Sequence, residues 1–268
     1  MVTAFDIVVP LGPNEFARFP TQLRFLIRNV IGFRRIYIVC NLSHPNVSLC
    51  HSEEEEDFIG IDIQWIDESI FPFSISDLLL VYPKPTRIAW YFQQLIKFYA
   101  CHVLPDLLDY YLIVDADVFF LKPLSFFDES GKPMYTIGHE YHVPYFQHMA
   151  QLHPCLTRVS ADKSGISHHM MFRRTWVHSL FCLVESFHQH EPFWHIFIRH
   201  VSEHRFHSDD FPDSGASEYE IFFNFLLIHC PRDITIRSLN WTNFPHDLNI
   251  LQYDSSSVYD YVSVCHWL

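Results

Sequence analysis

Five consecutive apolar residues, Tyr110-Tyr111-Leu112-Ile113-Val114, stop abruptly at Asp115-Ala116-Asp117, and this junction constrains the chain more than any other feature. An unbroken apolar run of that length fits a strand buried on both faces, as at the centre of a parallel sheet. Carboxylates at i and i+2 of extended chain project to one side. At the carboxyl end of a central strand they face the crevice in which open α/β sheets bind ligands. Adjacent acids repel unless a cation or hydrogen-bond donors neutralise them. Oxygen ligands of this kind suit Mg²⁺ or Mn²⁺, ions that usually share their shell with substrate phosphates. The plain alternative is two Asp in the turn that follows a strand.

The rest of the chain supplies elements that can build such a sheet. Phe5–Pro10, Arg35–Cys40 and Ile61–Ile66 read as strands, with a helix over residues 14–31 that Pro20 kinks or delays. Residues 86–103 carry helix-spaced apolar side chains, with Thr86 as cap and Pro105 after the end. Further strands are expected at 134–138, 166–172, 234–237 and 258–265, and helices at 175–188, 192–204 and 217–228. Strand, helix, strand and again strand point to an α/β fold with a continuous, mostly parallel central sheet flanked by helices, in one domain over 1–268.

Composition narrows the function classes. With 18 Lys and Arg against 31 Asp and Glu, the net charge of −13 opposes a general nucleic-acid or anionic-membrane binder. Only seven Gly argue against a Gly-rich phosphate loop. Seven Cys with no Cys-x-x-Cys suggest neither a disulfide framework nor a zinc ribbon, so a reducing, cytoplasmic setting is expected. No stretch approaches the roughly 20 apolar residues of a membrane span. Met1–Pro10 carries Asp6 within its apolar part and reads as a strand rather than a signal peptide.

Two later motifs bear on chemistry. In Ser167-His168-His169 neighbouring strand residues point to opposite faces. The two His therefore do not chelate one ion together. One is expected to bond hydroxyls of a ligand and the other to sit in the core. Ser217-x-x-Glu220 has the form of a capping box, which accounts for Glu220 structurally. Glu218 is not needed for the box and lies in the first helical turn, where the helix dipole keeps it ionised.

The run 111–119 resembles the Asp-x-Asp element of GT-A-fold glycosyltransferases, which use nucleotide sugars. Trp90–Lys97, Ser164–Phe172 and Ser217–Glu220 are similar to motifs of one branch of these enzymes, found in bacteria and in large DNA viruses of algae, where they build capsid glycans. The resemblance implies a single-domain, Rossmann-like GT-A fold, with residues 1–121 as the nucleotide-binding half and 122–268 as the acceptor-binding half. It implies Mn²⁺ or Mg²⁺, a nucleoside-diphosphate sugar (a UDP-sugar, with UDP-xylose as one candidate) and transfer to a glycan hydroxyl, with inversion. By the same resemblance Asp117 is the direct metal ligand, and Asp115 holds metal-linked water or the donor ribose, with Ala116 between them against the donor. His266 completes the metal shell, with His246 as its rival. Val9, Pro10 and Leu11 line the base. Arg87, Gln94 and Lys97 form a stripe on the 86–103 helix from which Lys97 faces the diphosphate, unless the stripe is simply solvated. His168 and His169 contribute to the donor side. Glu218 is the first candidate for the base that deprotonates the acceptor, then Glu220, then Asp213. The fold's usual Gly near the acceptor loop is hard to place, Gly215 being the one nearby candidate.

Two other classes compete. A haloacid-dehalogenase-like phosphatase also places Asp-x-Asp after an apolar strand, but near its N-terminus, whereas three strand candidates come first here. A binding module that holds a nucleotide sugar without transferring it is the second.

Overall fold

The computed structural model describes residues 3–50, 58, 60–203, 214–245, 250, 253 and 256–265. Ten strands and seven α-helices follow in the order β1 (Phe5–Pro10), α1 (Phe19–Asn29), β2 (Phe33–Cys40), β3 (Asp62–Asp67), α2 (Ile75–Val81), α3 (Pro85–Val103), β4 (Tyr110–Val114), β5 (Val118–Phe120), β6 (Met134–Thr136), α4 (Val143–Leu152), β7 (His169–Arg173), α5 (Arg174–Phe187), α6 (Phe193–Glu203), α7 (Glu218–His229), β8 (Thr235–Arg237), β9 (Trp241–Pro245) and β10 (Tyr261–Cys265).

The main sheet has the order β3-β2-β1-β4-β7. All of its pairings are parallel except that of β4 with β7. Every residue of β1 is buried, as are Tyr111 to Val114 of β4. This is what unbroken apolar runs achieve at the centre of a sheet covered on both faces. From β1 the chain adds β2 and β3 on one side and β4 on the other. The carboxyl ends of β1 and β4 therefore flank a point where strand order reverses, the place where open α/β sheets form a ligand crevice.

The sheet is not continuous, contrary to the expectation from sequence. After Asp117 the backbone turns, with the Val118 N–H donating to the Asp115 carbonyl at 3.1 Å. It then leaves the main sheet, and β5 joins a separate sheet of order β5-β10-β9, while β6 pairs with β8. Strand period cannot report this, because alternation is the same whichever partner is chosen. The 14–31 helix is split into a 3₁₀ turn at Pro13–Glu15 and α1, with Pro20 in the first turn, where a missing N–H costs nothing. Thr86 does not cap α3. Lys84 stands at that position without a side-chain bond and Pro85 opens the helix. Short elements α2, α4 and β9 were not expected. In α2, Ser74 and Asp77 form a reciprocal capping box.

Aromatic contacts join the layers. Phe172 of β7 stacks on Phe222 of α7 at 4.1 Å, and Phe181 of α5 on Phe193 of α6 at 4.3 Å. Phe98 of α3 meets Phe172, Phe181, Phe193 and Phe222. Each such pair adds about 0.5–1.5 kcal/mol beyond area burial. The first turns of α7 are thereby pinned beside the segment that precedes β7.

Gly165 lies in that segment, and the approach is close: a Cβ there would sit 2.5 Å from Phe223 Cβ and 2.6 Å from the Tyr219 carbonyl oxygen. Neither neighbour is a flexible end. Gly165→Ala is expected to cost about 1–3 kcal/mol through overpacking, read as a lower urea midpoint at unchanged slope. An unaltered midpoint would show that α7 has room to move.

Candidate active site

Asp115 and Asp117 leave the carboxyl end of β4 together with His168. Their ligand atoms all lie within 4.8 Å of one another, the one such group of three among the described residues. Two local features bring His168 there. β7 begins only at His169, which pairs with Val114, and His168 adopts φ +59°. That left-handed conformation is uncommon for a residue with a Cβ and recurs at functional sites. The His168 carbonyl accepts the Asp115 N–H at 3.0 Å, holding the two segments in register. The strand expected from Ile166 does not form, so the alternation that separates neighbouring His applies only from His169 onward.

His169 turns the other way. It is 2% exposed, its Nε2 lies 3.2 Å from Thr136 Oγ1, and its ring packs against Tyr261 and Phe120. Burial holds its pKa well below the usual value, with Arg237 adding to the effect. It is the core histidine of the pair.

Asp115 is neutralised from within the fold. Its Oδ1 meets Lys97 Nζ at 2.5 Å and accepts from Tyr219 Oη at 2.9 Å, and Oδ2 lies 3.6 Å from His168 Nδ1. Burial opposes its charge, but Lys97 and His168 outweigh burial and hold its pKa low. Lys97 also contacts Glu218 Oε1 at 2.5 Å, with its ammonium 4.4 Å from the Tyr219 ring centre. The two carboxylates overcome the burial penalty and push the Lys97 pKa up to about 12. Lys97 therefore does not present a free cation to a diphosphate. It is 3% exposed and joins α3 to β4 and α7.

The stripe on α3 is buried rather than solvated. Gln94 Nε2 donates to the Ala216 carbonyl at 3.2 Å, and its Oε1 accepts the Glu218 N–H at 3.0 Å. One turn earlier Tyr91 Oη accepts the Gly215 N–H at 2.8 Å. Gln94 thus positions the start of α7. Arg87 stands apart, its guanidinium 5.4 Å from the Trp90 ring centre. Glu218 is 3% exposed, and burial raises its pKa although Lys97 opposes. Glu220 is structural. It accepts from Ser164 Oγ at 2.5 Å and from Asn224 Nδ2 at 3.0 Å, while Ser217 Oγ accepts the Glu220 N–H at 3.4 Å. The expected capping box is half made, since the Glu220 carboxylate is directed to Ser164. Val9, Pro10 and Leu11 do reach the carboxyl end of β1, but all three are buried. The Pro10 carbonyl accepts from Gln93 Nε2 at 3.1 Å. Ala116 is 3% exposed. Asp213, His246 and His266 lie outside the described residues.

Asp117 has the opposite environment from Asp115. Burial, reinforced by Asp115 and Glu15 against the help of His168, pushes its pKa up to about 6. Its Oδ1 and His168 Nε2 are both buried with no hydrogen-bond partner among the described residues. Two such unpaired ligand atoms beside an ionised carboxylate fit a divalent cation. The residues backing this arrangement were invisible in the sequence. The Val264 N–H donates to the Asp117 carbonyl at 2.9 Å, Tyr261 Oη donates to the Ser167 carbonyl at 3.0 Å, and Trp241 meets the His168 ring edge-on at 5.4 Å. All come from β9 and β10, and their only advance signal was a weak strand pattern.

The site makes a sign-specific prediction for the metal-free protein. Asp117 has a folded pKa of about 6 against an ordinary value of 3.8. The folded chain therefore holds the extra proton between those values, and stability falls as pH rises through that window. Asp117→Asn is expected to raise the melting temperature at pH 7 and flatten this slope, while abolishing stabilisation by Mn²⁺. A lower melting temperature in the variant, with the slope retained, would contradict it.

Comparison with known proteins places the architecture. The galactosyltransferase LgtC in complex with donor and acceptor sugar analogs superposes with TM-score 0.51 at 13% identity, over 97% of this chain and 87% of that one. An active-site mutant of LgtC gives 0.51 at 14% over the same shares. Mouse xyloside xylosyltransferase 1 in its apo form gives 0.47 at 11%, over 97% of each chain. The likeness to LgtC is one of fold, and that fold is GT-A, as the resemblance implied. No helix among the described residues is long and apolar enough to cross a membrane. No curated protein matches the sequence. Residues 32–169, just over half of the chain, match the model of a family of unknown function (DUF6492), and the chain belongs to that family.

Proposed function

We propose that the chain is a metal-dependent glycosyltransferase that moves a sugar from a nucleoside diphosphate to a hydroxyl of a glycan acceptor. The observation that carries this reading is the Asp115–Asp117–His168 cluster at the carboxyl end of β4, within a GT-A fold. In this reading Asp115, Asp117 and His168 hold the cation. One nitrogen among two carboxylates inclines the site toward Mn²⁺ over Mg²⁺. When bound, the cation supplies positive charge to the donor diphosphate and to the nucleoside diphosphate that departs.

The chain's own residues do the rest. Lys97 and Tyr219 hold Asp115 in one orientation, so no reorganisation is needed at the moment of transfer. The segment 214–217, tied to Tyr91 and Gln94, forms one wall of the crevice. Residues 1–121 then serve the nucleotide, through the backbone at the end of β1, and 122–268 the acceptor. The donor we favour is a UDP-sugar, and UDP-xylose belongs in the first panel tested. Cys40, Cys50, Cys101, Cys155, Cys182 and Cys230 are free thiols, in keeping with a reducing compartment.

The reading is tested by thermal unfolding against nucleoside diphosphates and UDP- and GDP-sugars, with and without Mn²⁺. A native-state ligand at 100 times its Kd stabilises by about 2.7 kcal/mol. The expected result is a shift that requires Mn²⁺ and vanishes in Asp117→Ala, accompanied by slow release of nucleotide from one donor. Turnover of a phosphate monoester without any nucleotide shift would replace the transferase with a phosphatase.

A further inference from the structure

Transfer to a hydroxyl needs a group to take its proton, and of the carboxylates nominated by sequence Glu218 and Glu220 are engaged, while Asp213 lies outside the described residues. Glu218 is closed off and bound to Lys97 at 2.5 Å, and Glu220 is held by Ser164 and Asn224. Glu140 is different. It lies on the stretch between β6 and α4, is exposed, and makes no hydrogen bond or ion pair among the described residues.

That stretch is anchored on both sides, two residues from Glu140 in each direction. On one side Gly138 and Ser164 exchange backbone hydrogen bonds of 2.9 and 3.1 Å. The approach is tight: a Cβ on Gly138 would sit 2.2 Å from the Ile166 carbonyl oxygen. On the other side His142 Nε2 lies 2.8 Å from the Ser214 carbonyl oxygen. The first anchor belongs to the segment that carries His168, and the second to the segment that leads into Glu218. Glu140 is thus suspended between the two walls of the site. Its charge acts on His168 and Tyr261 on the cluster side, and on Tyr145, which also senses Glu218. Although the residue keeps its solvent contact, desolvation by the segments around its carboxylate raises its pKa, against the pull of His168 and His142. A carboxylate moved toward neutrality is the better proton acceptor. The neighbouring Tyr141 is 60% exposed, stacked on Phe146 at 5.5 Å and covered by the Arg158 guanidinium 4.2 Å from its ring centre.

We propose that Glu140 is the catalytic base on the acceptor side, receiving the proton of the attacking hydroxyl while Glu218 remains a positioning residue paired with Lys97. This rests on the glycosyl-transfer reading. The acceptor oxygen bonds to the anomeric carbon, and the bond from that carbon to the diphosphate oxygen breaks. Its electron pair leaves with the nucleoside diphosphate, and the hydroxyl proton passes to the Glu140 carboxylate. No further reactant is required.

The test uses the full chain with Mn²⁺ and the nucleotide sugar that stabilises the wild type. Donor binding is measured by calorimetry, and nucleotide release is measured with water and with the methyl glycosides of glucose, galactose, xylose and fucose. Water serves as acceptor, so the natural glycan need not be known. Glu140→Gln is expected to bind the donor within about twofold of wild type and to lose about 100-fold or more in nucleotide release, with Glu140→Asp recovering part of the loss. The exposed side chain makes folding of the variant the expected outcome, and an unchanged melting temperature verifies it. Release within a few-fold of wild type would overturn the assignment and leave the transferase reading standing. A wild-type chain that binds no nucleotide, or binds the donor and never releases nucleotide, would remove both.

Discussion

One ammonium group organises this molecule. Lys97 is nearly inaccessible, and its Nζ lies 2.5 Å from both Asp115 and Glu218. A charge in that position is tolerable only if partners surround it, and removing one partner of such a pair generally costs about 3–5 kcal/mol. The contact therefore locks three elements in place: α3, which carries Lys97, the end of β4, and the first turn of α7. Tyr91 and Gln94 extend the same lock along α3 by binding the backbone of residues 215–218. Much of what surrounds the crevice follows from this one buried cation.

The lock also divides the labour between two carboxylates only two residues apart. Asp115 has its charge balanced inside the protein. Asp117 does not, and burial leaves it with a raised pKa and an oxygen that no described residue bonds. His168 adds a second orphaned atom and sits in a backbone conformation that a residue with a Cβ rarely adopts. An arrangement so poorly satisfied by the protein alone is what a site built around an external positive charge looks like. The sheet of β5, β9 and β10 keeps it from relaxing, through bonds to the backbone of Asp117 and Ser167.

Much of the fold could be read directly from residue order. Strands β1, β2 and β4 stand where apolar runs placed them, because an uninterrupted apolar run has few other uses in a chain with α/β alternation, and β3 stands where alternation of apolar and polar residues placed it. Helix α3 was legible from its period and from the Pro105 that follows its end, though not from Thr86, which does not cap it. The site was legible in part. Asp115 and Asp117 carry their own context, an apolar strand that stops. The polar stripe of α3 was recognised, but whether its cation faced solvent, a ligand or a carboxylate depended on what packs over it. His168 was read with His169 as a strand pair, and one left-handed residue defeated that reasoning. Glu140 had no signal at all, being a lone acid in a loop.

The sequence by itself therefore determined the local and periodic features: the fold class, the central strand, and the acidic turn at its end. Each depends on a few consecutive residues and on the free energy of burying them. The tertiary structure alone decided which charges meet. Lys97 and Glu218 are separated by more than a hundred residues, as are Asp115 and Tyr219, and no spacing rule links them. Their pairing follows from how α3 and α7 pack across β4, and that packing is set by the shape of the aromatic core rather than by any short motif.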